Sequence, residues 1–249
     1  MSFFLKIPHL LFFVLFLTLI PFYQNHASED TTETIQHLEN LLNRSGKDYQ
    51  VKIRITSHTQ NGEHLVVILQ STRDAEPTGD RLLFRLAGEN IPAYNSCLQC
   101  SAGGETSACE NNSGEFITEP GTHLPGSILP WEEILVGACA DWRVGPIDNS
   151  ILSEQYPQAT YSVEPVTDNF DASWRSTLIV VDKITGNPDL FLRIDKNNHQ
   201  LRKIKVVEIG RIGSWTGIRS AIITTQHGRI LMEIIGFSMG TDSPKPWEE

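Results

Sequence analysis

The chain has 249 residues, an apolar fraction of 40%, and 30 acidic against 20 basic residues. This length suits one domain, because all-β domains often reach it without dividing. The acidic balance offers no basic surface for nucleic acid or for an anionic membrane, so neither is an expected partner.

The N-terminus is typical of a secretory signal peptide. Lys6 is the only charge before the apolar run Leu10–Ile20, and the small residue Ala27 follows soon after it. We expect cleavage after Ala27, which makes residues 1–27 the signal peptide, 28–242 one domain and 243–249 a loose tail. An uncleaved membrane anchor is the alternative, although the run is shorter than the roughly 20 residues that span a bilayer. No cysteine lies near the cut, so we expect no lipid anchor on this chain.

An amphipathic helix and three strands are predicted next. Residues 28–44 place Ile35, Leu38 and Leu41 on one face at helical spacing. Strands are predicted over 49–58, 63–71 and 80–86, the first with clean alternation of apolar and polar residues. The helix either lies on a concave sheet or covers an ordinary core.

The stretch 87–169 loses this periodicity. It is rich in Gly, Pro, Asn and Ser, and short helices are indicated only at Pro130–Val136 and Asn149–Gln155. A long irregular insert in a small domain is usually functional or partly disordered. Two interpretations stay open: a lobe that crosses or caps the sheet, and a peripheral excursion tied by disulfides.

Residues 176–240 predict five consecutive strands in an antiparallel meander. Short β-rich runs alternate with turn sequences such as Thr185–Pro188, Lys196–His199 and His227–Gly228. Spacing of about ten residues between such turns is typical of an antiparallel sheet.

Four cysteines lie in the insert, at Cys97, Cys100, Cys109 and Cys139. An even number in an exported chain indicates structural disulfides, and Cys97–Cys100 with Cys109–Cys139 is our preferred pairing. A structural zinc site and a redox role remain alternatives, although the spacing fits neither a zinc ribbon nor a finger.

Catalytic motifs are weak. Gly236–Gly240 matches G-x-S-x-G, but no histidine follows Ser238 and the local pattern is that of an antiparallel strand. The eight histidines form no metal motif; only His58 and His64, at the two ends of one hairpin, are expected to come close. We therefore expect no enzyme, no metal and no cofactor.

An apolar hollow is the remaining candidate site. Twisted strands with one apolar face can form a concave surface that suits an acyl chain, because each buried CH2 contributes roughly 0.8 kcal/mol. A tightly filled core is the competing interpretation. Trp131 and Trp142 are candidates for a lid, with core packing as the alternative. The predicted lining residues are Ile53, Ile55, Val67, Leu69, Phe84, Leu192, Ile194, Met232 and Ile234.

The segment Ser176–Asp195, with its strand ending in Asp-Lys-Ile-Thr-Gly-Asn-Pro, resembles the periplasmic outer-membrane lipoprotein-sorting (LolA/LolB-like) proteins. The continuation is also similar: Leu201-Arg-Lys-Ile-Lys-Val, Trp215 before a strand, and the closing strand Arg229–Phe237. Leu124–Leu135 resembles a segment that precedes a helix in some members.

The resemblance implies an α+β, mostly antiparallel fold: a half-open β-barrel whose helices cover the concave face. It implies a soluble periplasmic carrier for lipid or lipoprotein acyl chains, with membrane-bound donor and acceptor proteins as its expected partners; we expect a monomer. Arg54 is the candidate for the family's charged lid latch. The alternative function is an exported protein-interaction module with a disulfide-tied lobe and no lipid ligand.

Overall fold

One continuous antiparallel sheet organises the chain. The computed structural model describes residues 31–42, 49–76, 79–88, 91–101, 106–108, 122–134, 142–165, 173–212 and 215–239. The predicted signal peptide and C-terminal tail lie outside these residues, and so do the edges of the predicted domain.

The helices are α1 (31–42), α2 (131–134) and α3 (Ser150–Gln155). The strands are β1 (Tyr49–Thr59), β2 (His64–Glu76), β3 (Gly79–Gly88), β4 (Ile91–Ser101), β5 (Thr106–Ala108), β6 (Trp142–Pro146), β7 (Tyr161–Pro165), β8 (Ser176–Val181), β9 (Pro188–Ile194), β10 (Gln200–Ile212), β11 (Trp215–Thr225) and β12 (Gly228–Met239).

The sheet order shows how the two halves of the chain join. The described strands form one 12-stranded sheet in the order β5-β4-β3-β2-β1-β12-β11-β10-β9-β8-β7-β6. Neighbours in the chain are neighbours in the sheet, except that β1 pairs with β12 and joins the halves. The connection between β5 and β6 therefore runs from one edge of the sheet to the other. Within the described ladders these two strands do not pair, so the barrel is open, as predicted.

The prediction of five consecutive strands over 176–240 is confirmed as β8–β12, and the first three strands are confirmed as β1–β3. The prediction that 87–169 is irregular is wrong, because this stretch supplies β4, β5, β6 and β7. Two physical reasons explain why the sequence pattern did not predict these strands. β5, β6 and β7 have five residues or fewer, which is too short to establish a period of two, and β4 mixes polar and apolar residues at both phases.

Each face of the sheet packs against different elements. On the inner face, α1 and the segment 122–134 contribute Leu38, Leu124, Leu129 and Trp131 to one buried cluster with strand residues such as Ile55. On the outer face, Leu152 and Tyr156, at α3 and its C-terminal end, pack against Leu178, Leu192 and Ile194. The side chain of Asn149 caps α3 by accepting from the N–H groups of Ile151 and Leu152.

Helix α1 also protects an edge of the sheet. The Glu39 carboxylate accepts a hydrogen bond from the N–H of Val144 in edge strand β6, with an N–O distance of 3.0 Å. His37 Nε2 lies 2.8 Å from Asn187 Oδ1 in the β8–β9 turn. Since an exposed edge strand offers unpaired backbone groups to other chains, this contact reduces the risk of edge pairing.

Candidate functional site

A plug, which we define as residues 122–134, lies across the inner face. His123 and Pro130 form an isolated antiparallel bridge, and the Trp131 N–H donates to the Thr122 carbonyl at 2.8 Å. The buried Ser57 and Ser127 hydroxyls, 2.9 Å apart, tie the plug to β1. The interpretation of the insert as a lobe that crosses the sheet therefore holds for this part of it.

The plug and α1 close over a partly enclosed cavity of about 210 Å³. Most lining side chains are apolar and come from α1, α2 and the inner face of the strands. They include Leu41, Leu42, Tyr49, Val51, Ile53, Ile134, Trp142, Val163, Phe191, Ile204, Ile218, Ala221, Ile223, Met232 and Ile234. Ligand pockets usually measure about 300–1,000 Å³, so the cavity in this conformation is smaller than a typical ligand pocket.

Four buried charges hold the plug against the sheet. This latch consists of Glu132 and Glu133 on α2, Arg193 on β9 and Arg202 on β10. Arg193 Nη2 and Arg202 Nη1 lie 2.8 and 3.0 Å from the Glu133 carboxylate, and Arg202 also contacts Glu132. The four side chains are only 3–10% exposed. Charge-assisted bonds in this environment are strong, and the two acids balance the two bases.

Three neighbours complete the latch. Arg193 Nη1 donates to Thr177 Oγ1 at 2.6 Å, and Arg202 Nη2 donates to Ser173 Oγ at 3.0 Å. Ser173 also donates to Glu132. The Arg193 guanidinium carbon lies 4.4 Å from the centre of the Trp174 ring, which adds a cation–π contact. Removing one member would leave a buried charge without its partner, at a cost of about 3–5 kcal/mol.

The latch joins two regions of the surface. Glu133 and Arg193 line the apolar cavity. Arg202, Ser173 and Trp174 line a second, open cleft of about 700 Å³ on the other side. The latch is therefore a wall between an apolar hollow and a polar cleft.

The histidines of the plug and its neighbours are close together. His123 and His227 have ring centres 5.2 Å apart, edge to face. Burial lowers the pKa of His123 from its ordinary value, and His227 and Arg202 lower it further, while Glu132 acts in the opposite direction. A neutral His123 is thus favoured next to the latch.

The weak catalytic signals find no support in the described part of the chain. Ser238 lies inside β12, opposite Gln50 of β1, so its backbone is an antiparallel strand and not the strand-to-helix turn of a nucleophile elbow. His58 and His64 do meet, with ring centres 4.7 Å apart. The described residues contain no group of three or more His, Cys, Asp or Glu side chains able to hold a metal ion.

The predicted lining residues divide into three sets. Ile53, Met232 and Ile234 line the cavity. Ile55, Val67 and Leu69 are buried in the inner cluster beside it. The backbone of Phe84 pairs with Ser71 and Ser96 in the sheet, and its side chain lies outside those the structure describes.

Leu192 and Ile194 correct the prediction for β9. Both lie in the outer cluster under α3, whereas Phe191 and Arg193 face the cavity. The predicted alternation of inward and outward side chains in β9 is one residue out of phase. Such a shift moves every side chain of a strand to the opposite face. Arg193 explains the difference in phase. A charged residue is expected to face solvent, but Arg193 faces inward because the plug supplies its buried partners.

The two lid candidates have different positions: Trp142 lies at the cavity, and Trp131 is packed in the inner core cluster. Trp131 is 2% exposed within the plug, and Trp142 lines the cavity from β6. Arg54 is not the latch: its side chain is 48% exposed, and it lies 3.8 Å from Glu233 on the neighbouring strand β12. The role predicted for Arg54 is filled by Arg193 and Arg202, which form the buried ion pairs with the plug.

The preferred cysteine pairing conflicts with the backbone of β4. Cys97 and Cys100 lie in this extended strand, opposite Leu83 and Asp80 of β3. Three residues of strand separate their Cα atoms by roughly 10 Å, beyond the roughly 7 Å that a disulfide spans. Cys109 and Cys139 lie outside the described residues, so the existence of disulfides stays a prediction.

The latch is the part of the site that sequence reasoning missed. One signal was present: Arg193 interrupts the otherwise apolar run Leu190-Phe-Leu-Arg-Ile194. A charge in such a strand requires a buried partner, and the adjacent acids after Trp131 were available. The register of β9 and the path of the plug were needed to bring them together.

Fold and site together define an open antiparallel half-barrel with a plug over an apolar cavity. No known family model matches the sequence, and no curated protein matches it. Among solved structures, the chain is similar to a DUF1329 family protein from Desulfovibrio piger. The TM-score is 0.53 at 9% identity, over 87% of this chain and 95% of that one.

Two further structures are similar at lower scores. One is a putative outer membrane lipoprotein-sorting protein domain from Vibrio parahaemolyticus, with a TM-score of 0.46, 12% identity and coverage of 85% and 93%. The other is a LolA superfamily protein from Nitrosomonas europaea, with a TM-score of 0.47, 9% identity and coverage of 88% and 97%. The predicted open, mostly antiparallel fold is confirmed by the strand order, and at 9% identity the property shared with the Desulfovibrio piger structure is the fold.

Within the described residues, no helix is both long enough and apolar enough to cross a membrane.

Proposed function

We propose that this chain is an exported, soluble carrier that binds the acyl chains of a lipid or lipoprotein in the cavity under the plug. The supporting observation is an apolar cavity closed by a segment whose main polar attachment is a removable set of ion pairs. The signal-peptide pattern at the N-terminus supports a role in the periplasm, where membrane-bound proteins would donate and accept the cargo.

The latch gives the proposed carrier two conformations. With Glu132 and Glu133 bound to Arg193 and Arg202, the cavity is about 210 Å³ and too small for a whole lipid. Release of α2 from the sheet would enlarge the hollow, because Glu133 and Ile134 of α2 form part of its wall. The differential affinity of a ligand for the open form would then supply the free energy of opening.

Native mass spectrometry of protein purified from the periplasm tests this function. We expect a co-purified lipid and displacement of a fluorescent fatty acid by added lipid. A clean mass of the chain alone, together with no binding of the fluorescent fatty acid, would contradict the proposal. A stoichiometric protein partner without any lipid would favour the interaction module instead.

Two substitutions on adjacent residues locate the binding. Ala221 is buried and lines the cavity on β11, whereas Ile222 is half-buried and points to the outer face. Ala221→Phe fills the cavity and should weaken fatty-acid binding at least about tenfold. Ile222→Phe adds similar bulk to the other face and should leave binding unchanged.

A further inference from the structure

An open polar cleft of about 700 Å³ lies on the far side of the latch from the apolar cavity. Its walls are the plug near His123 and Pro130, residues 173–175, the β9–β10 turn and the β11–β12 turn. Arg202 belongs to both this cleft and the latch. A molecule with a polar end in the cleft and an apolar end in the cavity would therefore have to pass the latch.

The cleft carries more positive than negative charge. Arg175, Lys196 and Arg202 line it, together with His123 and His227. Glu132 and Glu133 already balance Arg202. Among the ion pairs of the described residues, none involves Arg175 or Lys196. The whole chain has a formal net charge of −10, so this local excess runs against the overall balance.

Asp195 is the acidic group of the cleft, and its carboxylate serves the β9–β10 turn. Its Oδ1 accepts from the N–H groups of His199 at 2.8 Å and Asn197 at 2.7 Å. The hydrogen bond from His199 is the main reason why the pKa of Asp195 is lowered. Its Oδ1 is thus engaged in the turn. Asp195 reduces the positive charge of the cleft by one, but it forms no ion pair with Arg175 or Lys196 among the described residues.

Neutral donors accompany the cations. Asn197 and Gln200, whose side-chain amides are donors, also line the cleft. Guanidinium, ammonium and amide groups that converge on one space are the donor set that recognises a phosphate or carboxylate oxygen cluster.

We propose that this cleft binds the anionic headgroup of an amphiphile whose acyl chain enters the apolar cavity. The inference rests on the proposed carrier function and adds the class of cargo: a lipid with a phosphate-bearing, net negative headgroup. Arg175 and Lys196 supply the long-range attraction. At the latch, the headgroup competes with Glu132 and Glu133 for Arg202. Binding of the cargo would therefore weaken the ion pairs that hold the plug.

Chain-matched single-chain lipids test the headgroup preference. The purified chain is titrated with lysophosphatidylglycerol and with lysophosphatidylcholine of the same acyl length, at low ionic strength and below their micelle concentrations. We expect the anionic lipid to bind about five- to tenfold more tightly, with a preference that falls as salt is added.

Paired charge removals assign the preference to the cleft. Arg175→Gln with Lys196→Gln should reduce the preference to within about twofold while retaining the binding of lysophosphatidylcholine. The control is Lys203→Gln with Lys205→Gln, which removes the same charge from exposed positions of β10 outside the cleft. This control should keep most of the preference.

Three outcomes overturn the inference. Equal affinity for both lipids removes the headgroup site and leaves the carrier function intact. Equal loss of preference in the cleft variant and in the control assigns it to overall charge. Displacement of the lipid by glycerol 3-phosphate at the same concentration assigns the cleft to a soluble phosphate. Failure of both lipids to bind instead contradicts the proposed function itself and removes the inference with it.

Discussion

The inner and outer faces of the sheet bury their residues in different ways. Under α3, the outer cluster of Leu152, Tyr156, Leu178, Leu192 and Ile194 is apolar, apart from the tyrosine hydroxyl. That hydroxyl donates to the Asn198 carbonyl at 3.0 Å. The inner cluster instead surrounds a cavity and borders four buried charges. The outer face is thus held mainly by apolar packing, whereas the inner face combines apolar packing with ion pairs to the plug.

Buried ion pairs differ from apolar packing in how they respond to movement. Apolar contacts are non-directional and tolerate small displacements, whereas a buried pair loses most of its energy once its geometry is broken. The latch therefore holds the plug in one position, and under the proposed function a short movement would be enough to release it. Substitutions on the two faces should behave accordingly.

The largest expected effect is that of Glu133→Ala. This change removes the carboxylate shared by Arg193 and Arg202 and leaves both guanidinium groups buried. We expect the free energy of unfolding to fall by about 3–5 kcal/mol in urea titrations. The control, Glu154→Ala on the exposed side of α3, should change it by less than about 0.5 kcal/mol. Similar losses in the two variants would refute the assigned role of the latch.

Leu192→Ala tests the outer face. This side chain is 1% exposed in the apolar cluster, so we expect a loss of about 2–5 kcal/mol. The affinity for fatty acid, corrected for the folded fraction, should not change. Ile234→Ala, at the half-buried wall of the cavity, should cost less, about 1–2 kcal/mol, and should alter the affinity. A reversed pattern would mean that the two faces have been wrongly assigned.

The cysteine pairing also bears on the plug, because Cys139 follows it closely in the chain. Leu98 of β4 lies opposite Ala108 of β5. In the sequence, Cys97 precedes Leu98 and Cys109 follows Ala108, so a continuation of this register by one residue would place the two cysteines opposite each other. Directly opposite positions of antiparallel strands have Cα atoms about 4.5–5.5 Å apart, within disulfide range. We expect a Cys97–Cys109 bridge, which leaves Cys100 for Cys139, on the C-terminal side of the plug.

Peptide mapping of the non-reduced protein checks this pairing. A Cys100–Cys139 bridge would tie the segment after α2 to β4, so its removal by Cys139→Ser and Cys100→Ser should destabilise the protein by about 2–4 kcal/mol. A peptide joining Cys100 to Cys109 would show that the β4–β5 register does not decide the connectivity, and four free thiols would refute the disulfides altogether.

The smallest expected effect is that of pH on the plug. His123 has a lowered pKa when folded, chiefly through burial, with His227, Arg202 and Glu132 as its charged neighbours. The unfolded chain therefore takes up the proton first, so the stability is complete above about pH 6.5 and falls as the pH drops below that value. His123→Gln should flatten the fall in thermal unfolding midpoints. An unchanged slope in this variant would contradict the assignment.

The turns and the long strands followed directly from local chemistry. In the β8–β9 turn, Asp182 Oδ1 accepts from the N–H groups of Ile184 and Thr185, and Gly186 takes a positive φ of 67°. Asn198 adopts a φ of 65° in the next turn. These residues form such turns through their own side chains and backbone freedom, so sequence alone predicts them.

Local chemistry did not predict the strands of the insert. It also did not predict which residues of β9 face inward. Short strands such as β6 and β7 are held by ladder pairing with their neighbours, which leaves little signal in their composition. In β9, both Phe191 and Leu192 are buried because the sheet is covered on both faces. Alternation no longer identifies the inner side there.

The sequence by itself determined an antiparallel meander, its turns, an amphipathic helix and a resemblance that predicted the open barrel. These features depend on residues that are neighbours in the chain. Only the tertiary structure decided that Arg193 and Arg202 face inward to meet Glu132 and Glu133, up to 70 positions away. Burial of a charge is favourable only when its partner is already in place, and that condition is set by the path of the plug across the sheet.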